Sequence, residues 1–169
     1  MRLEGKVAVI VGAGQSPGEG MGNGRATTLR FAQEGARILA VDRLIASAEE
    51  TAAMATKEGS ECVPFAAEVT KEETLAAAIE AARARWSRID ILHNNVGVSI
   101  AGGDKPLEEL TEEAFDRVCA INLRGTIMAC KHVVPVMRLQ RSGAIINISS
   151  VAGARTAIRS SPIRRPKLQ

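Results

Sequence analysis

Gly12, Gly14, Gly18, Gly20, Gly22 and Gly24 crowd into the stretch that follows the apolar run Val7 to Val11. A β-branched run of that length reads as a central parallel strand buried on both faces. Glycines directly after it suit a bend whose backbone N–H groups come against a pyrophosphate, because no Cβ obstructs chain or ligand. The helix beyond then offers its N-terminus to the phosphates. Several glycine registers fit, and a surface loop without function is the plain alternative. Asp42 argues against that alternative, since it closes the next apolar run, Ala36 to Val41. An acid there is placed to accept hydrogen bonds from an adenosine ribose.

The elements that must carry these residues follow from periodicity and punctuation. Arg25 to Glu34 reads as a helix stopped by Gly35, and Ser47 to Lys57 as a second one stopped by Gly59. Cys62 to Ala67 is the third strand, ending in Glu68-Val69-Thr70. Thr70 and Glu73 have the spacing of a capping box, and Leu75, Ile79, Ala82 and Trp86 share one helical face. Trp86 is read as core packing. Ile89 to Leu92 is the fourth strand, with His93 to Gly97 leaving its end. A loop from Ser99 to Pro106 leads to a long helix over Glu112 to Leu139, bent or stopped near Pro135, with an apolar stripe of Val118, Ile121, Gly125 and Met128. Asn122 lies mid-helix, where a short amide is disfavoured. Ser142-Gly143 turns into strand five, Ala144 to Ile148, closed by Ser149-Ser150.

Strands and helices in alternation predict an α/β fold, a doubly wound parallel sheet of about five strands with helices on both faces. Ligands of such sheets bind at the carboxyl ends of the strands. Gly12, Asp42, Glu68, Asn95 and Ser150 all stand at predicted strand ends, so they are expected along one rim.

The bulk composition fits that picture. The chain has 169 residues, 46% hydrophobic and 24% charged, which suits one domain with a real core. Its net charge of +3 comes from Arg155, Arg159, Arg164, Arg165 and Lys167, near the end of the sequence, and is not read as a nucleic-acid signal. Three widely spaced cysteines, Cys62, Cys119 and Cys130, suggest neither a disulfide framework nor a metal knuckle, and a cytoplasmic setting is expected. No signal peptide or membrane span is indicated. His93 and His132 lack the companions of a metal site. Ser149 and Met137 are read as structural, and Glu108-Glu109 and Glu112-Glu113 as a solvated helix entry.

From about Leu3 to Gly153 the sequence resembles the short-chain dehydrogenase/reductase family. Asn94-Asn95-Val96-Gly97 is similar to the family's Asn-Asn-Ala-Gly element, which steadies the sheet and floors the adenine-ribose pocket. Ile121-Asn122-Leu123-Arg124-Gly125 is similar to the segment carrying the family's catalytic-site Asn. Ile146-Asn147-Ile148-Ser149-Ser150-Val151-Ala152-Gly153 is similar to the end of strand five, whose second serine is catalytic. The resemblance implies that Ser150 bonds the substrate oxygen and that Asn122 helps hold a water in the proton-relay path. It also implies cofactor binding by Gly12, Gly14, Gln15, Gly22, Gly24, Asp42, Arg43, Glu68, Val69, Asn95 and Gly97. Glu68-Val69 replaces the family's Asp-Val near adenine.

The glycine loop departs from the family's spacing. If Gly22-Asn23-Gly24-Arg25-Ala26 is its later part, an insertion lies around Ser16 to Met21 and the phosphate loop is longer than usual. Asp42 implies NAD rather than NADP, since its carboxylate accepts the 2′-hydroxyl and repels a 2′-phosphate. Arg43 pulls the other way and is weighed less.

The family's chemistry relies on a Tyr followed four residues later by a Lys, and this sequence contains no tyrosine. Residues 1–153 are therefore read as a partial dinucleotide-binding domain, and 154–169 as an irregular basic tail in which Ile163 and Lys167 stand where the Tyr and Lys belong. A frameshift explains the tail. When the third base of each codon is read with the first two of the next, Ser160 to Gln169 can encode Val-Ala-Tyr-Ser-Ala-Ser-Lys-Ala-Ala. Strand five is then left as an exposed apolar edge, and marginal solubility is expected.

The leading functional reading is an NAD-dependent oxidoreductase acting on a secondary alcohol or ketone. Its relatives at full length are homo-oligomers, and this chain is expected to be catalytically impaired. A dinucleotide-binding pseudoenzyme or non-functional truncated product is the alternative, and a basic arm for a nucleic acid or an acidic partner a weaker third.

Overall fold

The computed structural model describes residues 1–149 apart from 17, 19, 100, 101 and 104. Five strands form one sheet: β1 (Val7–Val11), β2 (Arg37–Asp42), β3 (Cys62–Ala66), β4 (Ile91–Asn94) and β5 (Ala144–Asn147). The helices are α1 (Asn23–Gln33), α2 (Ile45–Lys57), α3 (Glu72–Trp86), α4 (Glu112–Cys119) and α5 (Gly125–Gln140). The strand order is β3-β2-β1-β4-β5 and every pairing is parallel, a Rossmann-like doubly wound arrangement. β1, the most apolar segment, sits at the centre with all five residues buried.

Alternation along the strands divides the core between the two faces of the sheet. Val7, Val9, Val11, Leu39, Val41 and Leu92 pack with Leu75, Ile79 and Trp86 of α3 and Ala129, Val133 and Met137 of α5. Ala8, Ile10, Ile38, Ala40 and Ile91 pack with Ala32, Ala36 and Ala55 on the α1 and α2 side. The second face is rich in alanine, which lets α1 and α2 lie close to the sheet. Trp86 is core, as expected, and its indole N–H donates to Glu61 Oε2 at 2.9 Å.

Pro64 lies in β3, an edge strand, where a missing N–H leaves no central ladder bond unmade. Among the described residues β5 is the other edge. All four of its residues are exposed, in keeping with the expected open apolar edge. At the amino ends of the strands, Asp90 is buried and accepts the Val7 N–H at 2.9 Å and the Arg88 Nε–H at 2.8 Å. Burial alone would raise its carboxyl, but those two donors hold it below its usual range. That end is closed by structural charge.

Four expectations are corrected. The capping box does not form: Lys71 is the N-cap of α3 and makes no side-chain cap. Instead the Thr74 hydroxyl accepts the Glu68 N–H at 3.0 Å and donates to the Glu68 carbonyl at 2.8 Å, pinning the turn out of β3. The long helix is not continuous, because residues Ala120–Arg124 wind as a π-helical segment between α4 and α5. Its buried stripe is Gly125, Ala129, Val133 and Met137, while Val118, Ile121 and Met128 are only half-buried. Pro135 neither stops nor ends α5. It lies on the exposed side, where the carbonyl left without a helical partner can turn toward water.

Smaller shifts affect boundaries. α1 begins at Asn23 and β4 at Ile91, each two residues from the expected position. Gln140 explains the second shift, since its side-chain amide bonds both the N–H and the C=O of Ile89 at 2.8 Å. Those two groups are therefore held by a helix end.

Candidate dinucleotide site

The site lies at the carboxyl rim of the sheet. Gly12 follows β1, Asp42 ends β2, Glu68 follows β3 and Asn95 follows β4, so the expected rim is present as far as the described residues reach. Ser150 and the tail lie outside the described residues.

Gly12 has φ +85°, a conformation that favours glycine, and a Cβ there would come within 2.8 Å of Val96 Cγ2. Its N–H and that of Ala13 both donate to the Val41 carbonyl, at 2.8 and 2.9 Å. β1 therefore bends across the tip of β2. Gly14 comes next and donates its N–H to Asp42 Oδ2 at 2.9 Å. A Cβ on Gly14 would lie 2.6 Å from that oxygen and 2.7 Å from Ser47 Oγ. The other Asp42 oxygen accepts the Leu44 N–H at 3.0 Å, so the carboxylate is oriented by two backbone donors at the foot of the glycine loop. Arg43 beside it is exposed.

The insertion is organised by Gln15. Its Oε1 accepts the Gly22 N–H at 2.7 Å, and its Nε2 donates to the Gly20 carbonyl at 3.2 Å. Gln15 thus spends its amide on closing the long loop. Gly22 is the N-cap of α1 and no side chain caps the helix there, so the first-turn N–H groups have no side-chain acceptor at the cap.

Gly24 decides the glycine register. A Cβ at that position would overlap the Gly12 carbonyl oxygen and lie 2.8 Å from Asn95 Nδ2. This is the close helix-on-strand contact that only glycine permits. The Asn95 amide donates to the same Gly12 carbonyl at 3.1 Å, and its N–H to Val11 O at 2.9 Å, tying β4 to the loop. Asn94, buried one residue earlier, donates to Asn147 Oδ1 at 2.9 Å and so joins β4 to β5.

Glu68 is half-buried and Val69 buried. Val69 meets the start of α5, where a Cβ on Gly125 would come within 2.9 Å of the Val69 carbonyl oxygen. Val11, Val69, Val96, Ile121 and Thr126 line a small, mostly apolar cleft under the rim. Gly97 lies beside Asn122, with a Cβ there 3.8 Å from the Asn122 Oδ1.

Asn122 occupies the π-helical segment, not a regular turn of α-helix. Its Nδ2 donates to the Val98 carbonyl at 2.7 Å and its Oδ1 accepts the Val98 N–H at 2.8 Å. The amide acts as a two-point brace between the loop after β4 and the kinked helix, which explains a short polar residue there. The Asn122 carbonyl accepts the Thr126 hydroxyl at 3.1 Å.

The structure adds Ser47, Thr51 and Arg25 to the residues around the loop. The bonds from Ser47 to Gln15 and from Arg25 to Thr51 and Glu50 span 25 or more positions, so the sequence neighbourhood does not reveal them.

Comparison with known proteins agrees with this geometry. A family model described as short chain dehydrogenase matches residues 6–162. The chain is 38% identical over 153 residues to 3-oxoacyl-[acyl-carrier-protein] reductase FabG of Thermotoga maritima, covering 90% of this chain and 58% of that protein. It is 38% identical over 151 residues to D-threitol dehydrogenase of Mycolicibacterium smegmatis, covering 89% of this chain and 55% of that protein. Among solved structures, an NAD+-bound xylitol dehydrogenase matches with a TM-score of 0.83 and 32% identity, over 92% of this chain and 56% of that one. The chain thus spans little more than half the length of the proteins it matches. On the family match and the geometry together, the chain belongs to the short-chain dehydrogenase family.

Proposed function

We infer that this chain binds NAD across the rim, with the adenosine ribose on Asp42 and the pyrophosphate at the start of α1. The observation that carries the reading is the Asp42 carboxylate held at the Gly14 N–H, which sets a ribose acceptor beside the glycine loop. The Asp42 carboxylate has lone pairs beyond those taken by Gly14 and Leu44. Glu68, Val69 and Gly97 would border the adenine, and Gln15 and Gly22 would shape the loop. Arg43 would remain in solvent. The family's reaction, hydride transfer between the nicotinamide and a secondary alcohol or ketone, belongs to the same reading. Ser150 would bond the substrate oxygen, and Asn122 would brace the proton-relay path.

A carbonyl takes a hydride efficiently only when a proton donor stands beside it. The sequence has no tyrosine for that role, so the chain is proposed to bind dinucleotide with little or no turnover. This absence favours the second reading, a dinucleotide-binding pseudoenzyme. The exposed Phe115 of α4, Leu123 of the π-helical segment and Ile127 of α5 support homo-oligomerisation. The free thiols of Cys62, Cys119 and Cys130 go with a cytoplasmic setting.

Fluorescence titration tests the reading. NADH is expected to bind at least about tenfold tighter than NADPH, equivalent to about 1.4 kcal/mol. Asp42→Ala is expected to weaken NADH and narrow that gap, because the 2′-phosphate no longer meets a carboxylate. A wild type that prefers NADPH would refute the role of Asp42. A measurable rate on a panel of ketones with NADH would refute the impairment.

A further inference from the structure

We propose that Ser47 is a positioning residue for dinucleotide binding, its hydroxyl holding the Gly14–Gln15 bend of the glycine loop against the first turn of α2. The inference rests on the reading that a dinucleotide occupies the rim.

Ser47 Oγ accepts the Gln15 N–H at 2.7 Å, and it lies so near Gly14 that a Cβ there would be 2.7 Å away. The bend is thereby gripped by a second group close beside the Gly14 bond to Asp42. The consequence travels along the loop through Gln15, whose side-chain amide holds the N–H of Gly22, the N-cap of α1. If the Gln15 backbone swings, that amide leaves Gly22, and the first turn of α1 loses the approach angle a pyrophosphate needs.

Both ends of the loop rest on α2. Beyond the loop, Arg25 is buried and donates its Nε–H to Thr51 Oγ1 at 3.0 Å, while its Nη2 meets Glu50 Oε2 at 2.6 Å. The Thr51 hydroxyl in turn donates to the Ser47 carbonyl at 3.0 Å. One hydrogen-bonded path therefore runs from the first turn of α1, through Thr51 and Ser47, to the entrance of the loop. Ser47 is half-buried, and both hydrogen bonds of its hydroxyl go to the Gln15 backbone, the N–H at 2.7 Å and the carbonyl at 3.4 Å. Its hydroxyl holds the site and not the sheet.

The test uses the 169-residue chain with Ser47→Ala and Ser47→Thr, titrated with NADH by fluorescence and melted without ligand. Loss of one hydrogen bond that orders a binding loop is expected to raise the Kd of Ser47→Ala about tenfold. Ser47→Thr, which keeps the hydroxyl, is expected to stay within about threefold of wild type. Neither variant is expected to shift the unliganded Tm by more than about 2 °C, since a change of 1 kcal/mol would move it by more than that. Wild-type affinity in Ser47→Ala overturns the proposal, as does a Thr variant as weak as the Ala variant, or a fall in affinity matched by a fall in unliganded Tm. A wild-type chain that does not bind NADH overturns the dinucleotide reading itself, and the proposal with it.

Discussion

Gly24→Ala is expected to abolish NADH binding and to destabilise the chain by about 3 kcal/mol, the upper range for forcing an extra methyl into a packed contact. The added Cβ would overlap the Gly12 carbonyl oxygen and press on Asn95 Nδ2. The first of these is backbone at the bend after β1, so no rotamer change relieves it. α1 would have to lift away from the sheet, carrying the donors of its first turn with it. Gly22→Ala is the control. Gly22 has φ −64° and ψ 148°, an ordinary extended conformation, and the nearest atom to its Cβ would be the flexible end of Gln15 at 3.3 Å. Gly22→Ala is therefore expected to lose only about 0.5–1 kcal/mol, the preference of an N-cap for Gly over Ala. Urea midpoints and NADH titration of the two variants check this. Equal effects would refute the assignment of Gly24 as the packing glycine.

His93→Val is expected to stabilise the chain by about 1–2 kcal/mol, the size of the penalty for a buried polar atom without a partner. His93 is 4% exposed, and its Nδ1 has no hydrogen-bond partner. It pairs across the sheet with Ile10 and Ile146, and its ring meets Phe31 edge-on at 6.4 Å between centroids. Valine suits such a strand position and carries no polar atom.

The same burial makes the wild type acid-sensitive. Desolvation holds the His93 imidazole below its usual pKa. The unfolded chain therefore takes up the proton first as pH falls. Stability is complete above the unfolded value of about 6.5 and declines as pH drops from there toward the depressed folded value. The carboxylates respond lower on the scale. The Arg2 backbone N–H, with the Arg2 guanidinium, pulls Glu34 down to about 2, and Asp90 is also held low, so their contributions fade only under stronger acid. Midpoints at pH 7.5 and 5.5 should converge for His93→Val and stay apart for wild type. A variant with the wild-type pH response would refute the role of the buried ring.

Each strand, the first three helices and the strand ends that carry Gly12, Asp42, Glu68 and Asn95 were legible in the sequence because they depend on neighbours a few positions away. Val7 to Val11 can bury itself on both faces in almost any parallel sheet, and Gly35 and Gly59 halt helices by backbone conformation alone. Asp42 stood out because it closes an apolar run. Thr70 and Glu73, by contrast, matched a local motif that a tertiary partner displaced, when Thr74 bonded Glu68 instead. Pro135 carried a helix-stop signal, yet the burial of Val133 and Met137 on either side keeps α5 together.

By itself, the amino-acid order determined an alternating α/β chain with a glycine loop and an acid at the carboxyl ends of its first two strands. Only the tertiary structure decided which glycine meets the strand, that Ser47 grips the loop, and that Asn122 braces a π-helical segment. Gly24 against Gly12, Ser47 against Gln15 and Asn122 against Val98 are contacts between residues 12, 32 and 24 positions apart. Contacts at such separations come into being only when the sheet closes and brings the loops together, so no local pattern encodes them.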